Sequence, residues 1–342
     1  MRDELAMKTT VVGSFPLESS DENIRRIVRD QFDVGLDFVN YPQLKDMHAM
    51  FLDPLVEAEK LEKRNKLYFI RDEFTPPTTP APSITHPVQL MVEVLEDLKT
   101  SVSGLRACVT GPFTMMAHMR LEDVQKDSPW NLVDILKKYP ELIENIVKYV
   151  NTIARAYSKQ CDIVSIDEPL LGLLVGGRNT IFDLQLDMST DEAIQMIIDR
   201  LNLAFEGIDA VPSIHVCGEI SPLLRDLLLE TNVRIVDHEF RSSPNNFELF
   251  DRKLLESKDK LLAFGTLKTM YGAEGEEAFV ESVEDIQDWI RKGMDLFGAE
   301  NIIIKPDCGF SPLKGAFPGD KPYQIVLKKL RNMVEAVKTL VS

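Results

Sequence analysis

Short apolar and β-branched runs alternate along the chain with longer stretches whose apolar residues recur at i, i+3 and i+4, the spacing of one face of a helix. The runs occupy residues 9–15, 38–43, 105–110, 162–167, 212–217, 233–240, 261–267 and 301–307. Several helical stretches open on recognisable starts. Ser189 with Glu192 has capping-box spacing, Ser282 with Asp285 is a weaker version, and Pro222 follows Ser221 at a first-turn position. Eight strands alternating with helices predict a closed parallel (β/α)8 barrel, α/β in class, spanning 1–342 as one domain. A doubly wound open sheet is the second choice, but no GxGxxG turn follows the first strand.

Two connections exceed plain barrel loops. One follows the second strand and contains RDEFTPPTTPAPSITHP, whose prolines predict an extended excursion more than a helix. The other follows Pro169 and runs through LLGLLVGGRNTIFDLQL. Both leave carboxyl ends of strands, where barrel enzymes build their sites, so both are expected to wall a substrate pocket.

Composition narrows the function classes. With 44% hydrophobic and 27% charged residues the chain can bury a sizeable core, and a formal net charge of -16 spread along its length argues against a nucleic-acid partner. No apolar run approaches the roughly 20 residues that span a bilayer, and MRDELAMK lacks the apolar core of a signal peptide, so a cytoplasmic location is expected. Cys108, Cys161, Cys217 and Cys308 lie far apart with no CxxC pair, which argues against a disulfide framework.

The polar residues that converge on one site in a barrel are those at the carboxyl ends of strands. Here they are rich in metal ligands. His215 and Cys217 are two apart on a strand, so their side chains share a face. Cys308 and Glu239 end two other strands and can complete a tetrahedral site. A His, a carboxylate and two thiolates suit zinc, whereas iron would be exposed to the redox chemistry that two thiolates invite. Cys108 and Cys161 have no such company and are expected in the core.

The spacing His215-x-Cys217, then Glu239, then PDCG ending at Gly309, resembles the zinc site of cobalamin-independent methionine synthases. VVGSFP around Ser14 and IDEP around Asp167 resemble the same family, in its short single-barrel, archaeal-type form similar to the catalytic C-terminal barrel. The resemblance implies a methyltransferase that makes methionine: zinc turns homocysteine's thiol into a thiolate nucleophile, with Glu239 as the weakest ligand. It also implies Asp167 for the substrate ammonium, Ser14 for the carboxylate, Glu168 as a second ammonium contact or wall charge, and no catalytic residue beyond the zinc site.

Two departures stand out. Where larger relatives carry a His proposed to protonate the leaving group, residues 265–269 read GTLKT, and their acid-rich strand-two motif is replaced by YPQL, so that one ammonium contact is either lost or made by Gln43. Without that acid or a second barrel to grip a folate, the expected donor is methylcobalamin or a docked methyl-corrinoid protein, with methyltetrahydrofolate as the alternative. A corrinoid-dependent transfer to another thiol such as coenzyme M is a rival, although a sulfonate has no use for Asp167. A porphyrinogen-decarboxylase-like barrel without metal is opposed by the HxC and PDCG pair. A purely structural zinc site is opposed by ligands drawn from three strand ends.

Overall fold

The computed structural model describes residues 2–71, 74–99, 102–122, 130–272 and 275–341. Seven parallel strands form its central sheet: β1 (Phe38–Asn40), β4 (Gly104–Thr110), β6 (Ile163–Asp167), β7 (Val211–Val216), β8 (Ile235–His238), β9 (Leu261–Gly265) and β10 (Ile302–Lys305), in the order β1-β4-β6-β7-β8-β9-β10. The register runs one strand to the next, with Asp167 beside His215 and His215 beside Asp237. Strand residues are almost all buried, as expected when helices cover a parallel sheet.

The eighth staves position is filled by an irregular segment. Thr9 makes a parallel bridge to Ile304 of β10, the Thr10 amide donates to the Ile304 carbonyl, and the Phe38 amide donates to the Thr9 carbonyl. A second bridge joins Ser14 to Gln43. The first expected strand therefore closes the ring without being a regular strand. Asn40 explains how: its side-chain amide donates to the carbonyls of Val11 and Val12 at 3.1 and 2.8 Å, replacing ladder bonds where the chain bends. Gly13 sits at φ 141°, and a Cβ there would lie 3.1 Å from the Cys108 sulfur, so the bend demands glycine.

Helix starts follow local chemistry. Ser189 and Glu192 form a reciprocal capping box, Ser282 accepts from the Asp285 amide, and Ser221 caps a helix that begins at Pro222. The proline-rich excursion differs from expectation. SITHP belongs to the helix Pro82–Asp97, which has Pro82 in its first turn, where a missing amide proton costs nothing, and Pro87 within it. Ahead of it, β2 (Leu61–Arg64) and β3 (Leu67–Ile70) form a hairpin joined by β5 (Met119–Arg120) into a small separate sheet. No described helix is long and apolar enough to cross a membrane.

Candidate metal centre and substrate cavity

β7 carries His215, which is buried, one residue before its end at Val216, and Cys217 follows two residues after His215 on the same side. Gly218 then takes φ 75°, turning the chain away from the site. Cys308 arrives from beyond β10. The His215 Nε2 lies 3.2 Å from the Cys217 Sγ, and the two sulfurs are 3.4 Å apart. The ligand atoms of His215, Cys217 and Cys308 all fall within 4.8 Å of one another. A tetrahedral zinc bound at about 2.0–2.3 Å spaces its donors about 3.5–3.8 Å apart, so these three fit the ion with small adjustments.

Glu239, the expected fourth ligand, is half-buried but is not in that cluster; its carboxylate accepts from the Ser243 hydroxyl at 3.5 Å. Burial and then the Cys308 charge push its carboxyl up. Its loop is held by groups that the sequence did not single out. The Asp307 carboxylate accepts from the amides of Phe240, Arg241 and Ser242, and the Asn246 side chain donates to the carbonyls of both Gly218 and Glu239.

The electrostatics favour deprotonated sulfur. The hydrogen bond from Cys217, helped by His215 and Lys305, holds the Cys308 thiol well below its ordinary range, and the same contact pushes Cys217 up. The His215 Nδ1–H donates to Asp237 at 2.7 Å, which points the Nε2 lone pair at the sulfurs once the ring is neutral. Against the opposing effect of burial, the Asp237 charge raises His215 to about 10, so a metal ion must displace a proton there.

A cavity of about 430 Å³ opens on this cluster, lined also by Ser14, Gln43, His48, Asp167, Pro169 and Ser311. Asp167 is buried, and burial pushes its carboxyl up to about 6 despite the nearby His215 and Arg106 charges. The Ser14 hydroxyl accepts from the Ser311 amide at 3.2 Å, so its own proton is free to donate. Gln43 is buried, and its side-chain nitrogen has no partner. Thus His215, Cys217, Cys308, Asp167, Ser14 and Gln43 come together around one cavity.

Glu168 does not join them. Its carboxylate accepts from the Phe113 and Thr114 amides and the Thr114 hydroxyl at 2.8, 3.0 and 2.6 Å, capping the helix Pro112–Ala117 behind the cavity. Burial raises it to about 7 even so. Of the two expected walls, the connection after the second strand lines the cavity through residues 44–48, the other reaches it at Pro169, where it begins, and residues 12–17 and 309–314 form much of the remainder. Cys108 and Cys161 are buried, as expected.

Residues 18–339 match the family described as the cobalamin-independent synthase catalytic domain. The methionine synthase of Methanothermobacter thermautotrophicus is 29% identical over 96% of this chain and 99% of its own. That of Sulfolobus acidocaldarius is 23% identical over 98% and 93%. Among solved structures, a B12-independent methionine synthase from Shewanella sp. W3-18-1 in complex with selenomethionine superposes with a TM-score of 0.67 at 16% identity, covering 98% of each chain. A methyltransferase from Methanosarcina mazei gives 0.64 at 14% identity, over 98% of this chain and 95% of that one. These likenesses carry the barrel fold. They also overturn the corrinoid expectation: a missing His near residues 265–269 pointed to methylcobalamin and a docked corrinoid protein, but the matched family is described as cobalamin-independent.

Proposed function

The chain belongs to the family of cobalamin-independent synthase catalytic domains, and from that premise we propose that it makes methionine by methylating homocysteine at a zinc site held by His215, Cys217 and Cys308, with Glu239 as a weak fourth ligand. The observation that carries this reading is the opening of the His/Cys/Cys cluster into a cavity that also holds Asp167 and Ser14. Zinc, when bound, supplies the charge that removes the proton from the substrate thiol.

The chain's own groups do the rest. Asp167 pairs with the ammonium, where a buried carboxylate makes a charge-assisted contact, and would repel the sulfonate of coenzyme M. Ser14 donates to the carboxylate, and the Gln43 amide, an NH donor as placed here, suits the carboxylate better than the ammonium first expected of it. Cys308, poised as a thiolate, makes the cluster ready for a divalent ion.

With the corrinoid set aside, the donor is methyltetrahydrofolate. Its nitrogen needs a proton on leaving. Among the described residues, His48 is the cavity-lining histidine other than His215, and it stacks on His118 with ring centroids 3.3 Å apart.

The test is single-turnover methionine formation by zinc-loaded protein with homocysteine and methyltetrahydrofolate, free of any corrinoid. Methionine should appear, and Cys308→Ser should abolish both metal retention and product. No methionine from fully zinc-loaded protein, or full zinc occupancy in Cys308→Ser, would sink the reading.

A further inference from the structure

On the side of His215 away from the cysteines, the barrel interior holds charge where such barrels ordinarily stack aliphatic side chains. Asp237, from β8, is completely buried, and its carboxylate takes three donors: the His215 Nδ1 at 2.7 Å, the Lys305 Nζ at 2.6 Å and the Arg106 guanidinium at 2.7 Å. Lys305 and Arg106 are as buried as their partner. Lys305 also donates to the Asp307 carbonyl, one residue before Cys308, at 2.7 Å. Arg106 reaches on to the Ser165 hydroxyl at 3.2 Å, which donates to Asp167 at 3.3 Å. One carboxylate and two cations therefore reach the proposed ligand His215, the segment that delivers Cys308 and, through Ser165, the residue set to hold the substrate ammonium.

Stability alone does not account for such a layer. Buried ion clusters are often no more stabilising than apolar side chains of the same volume, because each ion must be taken out of water. The layer is also unbalanced once the substrate ammonium answers the charge of Asp167, since two cations against the one remaining carboxylate leave a net positive charge in the barrel's interior. The site above it is unbalanced in the other direction. Two cysteine thiolates neutralise a divalent ion, so any third anionic ligand, whether the Glu239 carboxylate or a substrate thiolate, leaves the assembly one unit negative.

Resting on the zinc and homocysteine reading above, we propose that Arg106, Lys305 and Asp237 form a fixed counter-charge that lets the metal site accept the substrate's thiolate as an extra anion. The three are positioning residues: they touch neither substrate nor metal, and act through His215 and through the field they set up at the sulfurs. Because water is excluded, that field is weakly screened. The arrangement favours an incoming ligand that arrives as an anion over a neutral thiol or thioether. Methionine, a neutral thioether, then loses the attraction that held homocysteine, which favours release of the product.

Cobalt(II)-substituted protein tests this, because a thiolate that joins the metal adds sulfur-to-cobalt charge-transfer absorption that can be titrated with homocysteine. Lys305→Met removes the surplus charge and should weaken homocysteine binding about tenfold or more while one cobalt per chain is retained. Lys305→Arg keeps the charge and should stay within about threefold of the parent. Asp237→Asn, whose amide oxygen can still accept from His215, should bind homocysteine at least as tightly as the parent. The double variant Lys305→Met with Asp237→Asn leaves Arg106 alone, restores one net positive charge, and should recover most of the lost affinity. A purely structural network predicts the reverse, with the double variant worse than either single change. Parent-like homocysteine binding in Lys305→Met, or the weakest binding in the double variant, overturns the proposal. If Lys305→Met does not fold, the double variant and Lys305→Arg decide by the same criteria. A parent that holds cobalt but shows no new absorption with homocysteine would overturn the zinc and homocysteine reading instead, and with it this one.

Discussion

Asp167 and Glu168 are neighbours in the sequence and end in unlike places. Successive strand residues point to opposite faces, so one carboxylate enters the cavity while the next turns outward onto the helix Pro112–Ala117. On the proposed role of Asp167 as the ammonium partner, Asp167→Asn removes a charge-assisted contact worth roughly 1.5–3 kcal/mol, which should raise the KM for homocysteine about 10- to 150-fold with zinc content unchanged; unaltered homocysteine kinetics would return Asp167 to a structural role. Glu168→Gln puts an NH2 group among three donors and should cost about 1–3 kcal/mol in urea unfolding, leaving that KM alone. The cluster of His215, Cys217 and Cys308 was legible because HxC spacing and strand-end positions are sequence facts. Arg106, Asp237 and Lys305 were not, since their meaning lies in meeting one another from three separate strands of the ring. The same period-two rule, applied to Ile166 through Pro169, would have turned Glu168 away from the substrate.

Elements were legible where local chemistry decides them. The seven parallel strands follow from their apolar runs, and the caps at Ser189, Ser221 and Ser282 from side chains that satisfy free amides. The hairpin β2–β3 was missed because its two-residue turn, Asn65-Lys66, takes φ 48° and 68° without the glycine that usually marks such a turn. The closing segment reads as a strand from its β-branched residues, yet the bend at Gly13 hands part of its hydrogen bonding to Asn40. Asn40→Ala should therefore strand two buried carbonyls and lower stability by about 1–3 kcal/mol; a urea midpoint equal to the parent's would show that the closure does not depend on that side chain.

For the molecule as a whole, stability over the mildly acidic range reflects groups pulled both ways. His118 is held down to about 4 from its usual 6.5, first by burial and then by the neighbouring His48. Its folded value lies below its unfolded one, so the unfolded chain binds the proton first and His118 costs stability as pH falls from about 6.5 toward 4. His118→Gln removes that cost. Its unfolding free energy relative to the parent should improve steadily between pH 7 and pH 5, and a pH-independent difference would refute the assignment. The seam of the ring has a consequence for how the enzyme comes into being. The Ser14 hydroxyl accepts from an amide 297 residues further along, and Cys308 joins Cys217 across 91 residues. During synthesis, a ribosome presents Ser14 long before Cys308. A nascent chain halted at residue 300 has His215 and Cys217 but neither the third donor nor the stretch that backs Ser14. At the metal site proposed above, loading then waits until Cys308 has emerged, an intrinsic checkpoint that leaves shorter nascent chains without the full donor set.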